Sequence, residues 1–123
     1  MRYLLLIGLG GGLGSMARYL CQRWMAIYYP HSFPFGTLIV NIAGCFLIGI
    51  LWGLSLRPNG MNEGWRLFLM TGICGGFTTF SAFSMESLQL LRAEKTGLFM
   101  LYVVCSVILG LVATLAAFRL TQS

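Results

Sequence analysis

The chain has 123 residues, enough for one small domain, yet 58% of them are hydrophobic and only 9% are charged. Soluble domains carry about 25% charged residues, and a fold this small exposes too much surface for so few charges to cover. That excludes an ordinary soluble enzyme and a disordered chain. The net charge of +5 is spread over eight singly placed basic residues with no patch or stripe, which excludes a nucleic-acid module. A mean hydropathy of +0.83 leaves an integral membrane protein.

A bilayer-spanning helix needs about 20 apolar residues. The first apolar run is uncharged from Tyr3 to Ala17 and continues to about Tyr29 through Arg18 and Arg23, which predicts a span over about 3–28. Arg2, the apolar stretch and Ser15-Met16-Ala17 also fit a signal peptide with a small-residue cleavage site. The pairs Gly8/Gly12 and Gly10/Gly14 argue instead for close helix packing. The second span, 36–56, is uncharged throughout and holds Asn41, the only amide inside an uncharged span. Asn41 lies about 7–8 Å from the start of its helix at 1.5 Å per residue. It is either interhelical glue or an N–H donor at a pore mouth, and Thr37 lies one turn earlier on the same face.

The third span, 67–91, passes through Glu86, the only acid at membrane depth, and the fourth covers 96–118. Tyr102 and Ser106 put two hydroxyls on one stripe of the fourth helix, and Gly110 continues that stripe without a donor. Pro30, Pro34 and Pro58 all fall between spans, where a missing N–H does least harm. Trp24, Tyr28, Tyr29, Trp65 and Phe118 sit near span ends, as interfacial aromatics do. The expected fold is therefore all-α, one domain over 1–123 with four transmembrane helices.

The basic residues fall as Arg2, Arg57, Arg66 and Arg119 on one side and Arg18, Arg23, Arg92 and Lys95 on the other. A balanced count gives no preferred orientation, so copies are expected to insert both ways and pair antiparallel. A single orientation fixed by other factors is the plain alternative. The two halves show no internal repeat, so any two-fold symmetry must come from a second copy. Cys21, Cys45, Cys74 and Cys105 lie one per span without a C-x-x-C pair and read as small apolar packing residues. His31 sits in a Pro-rich loop; there is no nucleophile–base pair, no paired carboxylates and no phosphate loop, so an enzyme has nothing to stand on.

The strongest departure from membrane rules is the run Thr71 to Ser84 in the middle of the third span. Gly75-Gly76 weakens a helix by about 1 kcal/mol per glycine, and Thr78, Thr79, Ser81 and Ser84 can divert backbone hydrogen bonds. A helix broken at midplane is tolerated only in protein or beside a wet cavity, and it exposes carbonyls for a cation and N–H ends for an anion. A Gly/Ser/Thr packing face is the simpler reading; the density of polar groups favours the break. Phe77, Phe80 and Phe83 recur every three residues here; they are either lipid-facing or core bulk, or their positive ring edges with nearby hydroxyls replace water around a small anion. Glu86 and Arg18, near span ends, read as snorkelling anchors that could also pair.

Gly10-Gly11-Gly12-Leu13-Gly14-Ser15-Met16-Ala17-Arg18-Tyr19, Gly36-Thr37-Leu38-Ile39-Val40-Asn41 and the run from Gly72 to Glu86 resemble, in order and spacing, the Fluc (CrcB-like) fluoride channels. The third-span motif is highly specific; the glycine-rich start alone is weak. The resemblance implies an antiparallel dual-topology homodimer in the inner (plasma) membrane, with two narrow pores. These would let cytoplasmic fluoride leave passively and confer fluoride resistance. It implies a structural Na+ at the dimer centre on the carbonyls of Gly75 and Thr78 from both copies. It implies pore-lining roles for Asn41, Phe80, Phe83, Thr79, Ser81, Ser84, Tyr102 and Ser106, with Glu86 and Arg18 as charges near the pore ends. Ala82 stands where some relatives carry Thr, and Gly110 where some carry Ser, so the polar track beyond Ser106 has fewer hydroxyls.

Two rivals remain. A small multidrug-resistance-type transporter shares the size and four spans, but its coupling carboxylate lies deep in the first span, where this chain has no acid. A non-transporting accessory subunit explains the glycines and not the Thr/Ser/Phe run.

Overall fold

A computed structural model describes residues 1–28 and 33–122; Tyr29, Pro30 and His31 lie outside the described residues. The chain forms α1 (Arg2–Tyr28), α2 (Phe35–Ser55), α3 (Glu63–Arg66), a π-helical segment (Leu67–Cys74), α4 (Gly75–Phe77), α5 (Phe80–Arg92) and α6 (Thr96–Gln122). By length and composition four stretches can cross a membrane: Arg2–Tyr28, Phe35–Ser55, Glu63–Arg92 and Thr96–Gln122.

Two boundaries differ from those expected. The third span starts at Glu63 rather than 67 because Asn62 caps it: Asn62 Oδ1 accepts from Trp65 N at 2.9 Å, and Glu63 sits favourably at the positive helix end. The fourth runs past 118 to Gln122, whose Nε2 donates to Gly53 O at 3.2 Å and ties the last turn to α2.

Glycines set the two tightest seams. On α2, a Cβ at Gly49 would meet Thr114 O and Ala117 Cβ, and one at Gly53 would strike the Thr121 side chain. Those contacts bring α2 and α6 together along their length, and Thr114 Oγ1 donates to Cys45 O at 2.9 Å across the seam. On α1, Gly10 lies against Phe68 O and Gly72, and Gly14 against Ile73 O and the Phe77 backbone. Gly11 meets Gly76 in the same seam. Of the two glycine pairs in the first span, Gly10/Gly14 therefore packs within the chain. A Cβ at Gly8 or Gly12 would meet nothing within 4 Å, so that pair faces away from the chain's own helices. The signal-like features of α1 belong here to a helix docked along the third span.

The buried centre is small: Leu38, Leu90 and Tyr102, with Phe33, Ile42, Phe83, Leu98 and Phe99 against them. Most other large apolar side chains point outward, among them Leu9, Val107 and Leu111. In hydrocarbon that exposure is the favourable arrangement. It leaves helix association to close packing and hydrogen bonds.

Candidate functional site: the broken third span and its cavity

The third span is broken, but not at its glycines. Gly75 is helical at φ −61, ψ −39, whereas Thr78 is extended at φ −87, ψ 157. Thr79 is extended as well, at φ −150, ψ 117. Gly76 instead provides space, since a Cβ there would meet Gly11 O. The hydroxyls and one amide make the break. Thr78 N and Thr78 Oγ1 both bond Cys74 O at 3.0 Å, which finishes the upstream helix. Thr79 N donates to Asn41 Oδ1 at 2.9 Å, and Asn41 Nδ2 donates to Thr79 O at 3.1 Å. Thr79 Oγ1 then accepts from Ala82 N at 3.1 Å and caps α5.

These diversions decide which carbonyls are left over. An α-helix pairs each C=O with the N–H four residues on. The donor for Gly75 O would be Thr79 N, which Asn41 holds. The donor for Thr78 O would be Ala82 N, which bonds Thr79 Oγ1. Gly76 O is accounted for differently, accepting from Arg18 Nε at 3.2 Å and Ser15 Oγ at 3.5 Å. Arg18 thus lies inside α1 and not at its end, and it caps the carbonyl end of the upstream half-helix, where a cation is favoured. Its Nε turns to Gly76 and not to Glu86, so the pairing considered for these two charges is not made by that nitrogen. Among the described residues no group of three His, Cys, Asp or Glu side chains could hold a metal ion. The carbonyls of Gly75 and Thr78 have lost their helical donors, and free backbone carbonyls of this kind can hold a hard monovalent cation.

Beside the break lies a partly open cavity of about 440 Å³. Asn41, Gly75, Thr78, Thr79, Phe80, Phe83 and Ser106 line it together with apolar groups that include Cys45, Cys74 and Val107. Ser106 Oγ is buried without a hydrogen-bond partner. Asn41, having given one N–H to Thr79 O, keeps a second N–H. The Phe80 and Phe83 ring centroids are 5.7 Å apart, and Phe83 is 5.1 Å from Tyr102. The N-terminal N–H groups of α5 add a positive end at the same place.

The other expected site residues are placed elsewhere. Tyr102 stands behind Phe83, fully buried, with its hydroxyl beside Thr37 and Glu86. Ser81 and Ser84 are exposed along α5, Ser81 Oγ lying 3.2 Å from Thr79 Oγ1. Glu86 lines a second cavity of about 300 Å³ with Gln22 and Thr37. There Gln22 Nε2 donates to the buried Thr37 Oγ1 at 2.9 Å, and the Glu86 carboxylate lies beside Thr37 and Tyr102. Ser15 and Gln22 were not foreseen as site residues. The signal existed: Ser15, Arg18 and Gln22 form a polar stripe at i, i+3 and i+7 on a membrane helix.

A family model described as "CrcB-like protein, Camphor Resistance (CrcB)" matches residues 5–118. A Flavobacterium psychrophilum protein is 46% identical over 114 residues, covering 93% of this chain and 92% of the relative. An Azobacteroides pseudotrichonymphae protein is 41% identical, with 99% and 98% covered. A Phocaeicola vulgatus protein is 45% identical, with 99% and 100% covered. All three relatives carry the name "Fluoride-specific ion channel FluC".

Proposed function

The chain belongs to the CrcB-like family, and from that premise we propose that it is a fluoride channel that lets the ion leave the cell passively. It is a multi-pass membrane protein and a channel rather than an enzyme. The observation that carries the reading is the cavity at the break. It gathers Asn41, which keeps a second N–H, the unpartnered Ser106 hydroxyl and the Phe80 and Phe83 rings, and among the described residues no acidic or basic side chain lines it. Fluoride is small and strongly hydrated. Uncharged donors and ring edges replace its water while binding it weakly enough to release it.

The working unit in this proposal is two copies in opposite orientation, with two pores and Phe80 and Phe83 on the path. In favour of a second copy, Phe80 is 78% exposed and Ser81 and Ser84 are exposed on the same helix. Polar groups at that depth need protein or water beside them. With Arg18 set aside as a residue inside α1, the basic residues divide four against three, and that near balance supports opposite orientations. A structural Na+ fits the carbonyls of Gly75 and Thr78 from both copies, since these lack their helical donors. Its positive charge would favour an anion in the adjoining paths. Glu86 and Arg18 remain charges outside the cavity, with Arg18 fixed on Gly76 O.

The test is growth of a bacterial strain made fluoride-sensitive by loss of its own exporter. Expression of this chain should restore growth in fluoride medium. Membrane-inserted protein that leaves the strain fluoride-sensitive would contradict the proposal.

A further inference from the structure

We infer that Asn41 is a positioning residue that holds Thr79 out of the helix and thereby frees the Gly75 carbonyl for a cation; this rests on the channel reading above. In a continuous helix Thr79 N–H would bond Gly75 O. Asn41 Oδ1 takes that N–H at 2.9 Å, while Asn41 Nδ2 donates to Thr79 O at 3.1 Å. Both polar groups of the Thr79 backbone are thus held by one side chain from another helix. A carboxamide carries an acceptor and donors side by side, and in this orientation it satisfies both groups of the extended residue. α2 delivers it in register: Gly44, three residues on, leaves room for the Thr78 methyl, which a Cβ at 44 would strike. Asn41 and Gly44 therefore seat Thr79 and Thr78 together.

The alternative state is specific. Without the amide, Thr79 N–H has no partner at membrane depth, where an unpaired donor is costly. The nearest helical acceptor is Gly75 O, and closing that bond withdraws the carbonyl. Asn41 keeps a second N–H, and it lines the cavity proposed as the anion path. One side chain therefore links the anion path to the cation-facing carbonyl.

The experiment uses the full-length protein in lipid bilayers, with a 13C=O label at Gly75 read by infrared spectroscopy. Na+ is titrated against N-methylglucamine. The wild type should show a Gly75 band at the free-carbonyl position that moves when Na+ is added. Asn41→Leu should shift the band to the hydrogen-bonded position and raise the Na+ concentration for half effect about 10–100-fold, as loss of a ligand-orienting partner does. Asn41→Asp keeps an acceptor for Thr79 N–H. It should retain the wild-type band and Na+ response while its fluoride flux falls, because a like charge then faces the anion. Asn41→Leu with the wild-type band and Na+ response would overturn the inference. Should Asn41→Leu not fold, a hydrogen-bonded, Na+-insensitive Gly75 band in the wild type would overturn it equally, as would an Asn41→Asp band at the hydrogen-bonded position. Absence of fluoride flux through the wild type would instead overturn the channel reading and leave the Gly75 band as a separate result.

Discussion

Phe80 and Phe83 are the residues whose roles divide most cleanly from folding. Phe80 is 78% exposed in the single chain, so Phe80→Ile removes an aromatic edge without opening the buried centre. Phe83 packs on Tyr102 at 5.1 Å, and an Ile there keeps a large apolar contact. Both substitutions should sharply cut fluoride flux, read by a fluoride electrode, while size-exclusion chromatography shows an unchanged assembly; unchanged flux from both would remove the aromatic role. Glu94 gives a separate prediction. It holds φ 60 where α5 ends in a glycine-type cap: Lys95 N bonds Leu90 O and Glu94 N bonds Leu91 O, both at 3.0 Å. Glu94→Gly should relieve the left-handed strain and stabilise the protein by up to about 1 kcal/mol, seen as a higher unfolding midpoint in detergent. A lower midpoint would show that the turn carries no such strain.

At the scale of elements, the sequence announced a broken third helix on two grounds, the Gly75-Gly76 pair and the hydroxyls of Thr78, Thr79, Ser81 and Ser84, and the structure makes the break with Thr78 and Thr79. Propensity counts a glycine as a weak point. It does not register that Gly76 faces Gly11 across a seam, or that the strongest competitor for the helix bonds sits on another element, at Asn41. Four spans were legible because length and hydropathy are local. The end of α6 was not, because Gln122 is held by Gly53 on α2. The polar stripe Ser15, Arg18 and Gln22 escaped notice because Arg18 reads as an end anchor until Gly76 O is seen beside it. The seam makes its own prediction. Gly10→Val or Gly14→Val drives a side chain into the backbone of the third span, and overpacking of this kind costs about 1–3 kcal/mol or more. Gly8→Val has open space within the chain and should leave its fold intact. Thermal unfolding in detergent should therefore separate positions 10 and 14 from position 8; equal midpoints for all three would refute the seam.

For the whole molecule, composition fixed the class and the balanced charges set the expectation of two orientations. What composition could not reach is how the half-helices, α2 and α1 converge on one place. A reporter fused to either terminus should give signal on both membrane faces; a single-sided signal would end the dual-topology proposal and leave the four-helix fold untouched. The central claim is that fluoride crosses a path of uncharged donors and ring edges beside the break, and it meets its most direct test in liposomes. Purified protein is reconstituted, valinomycin carries balancing potassium, and fluoride release is measured against a chloride control. Rapid fluoride release without matching chloride release is the expected result. A folded, reconstituted protein that releases neither ion, or both alike, would contradict the account.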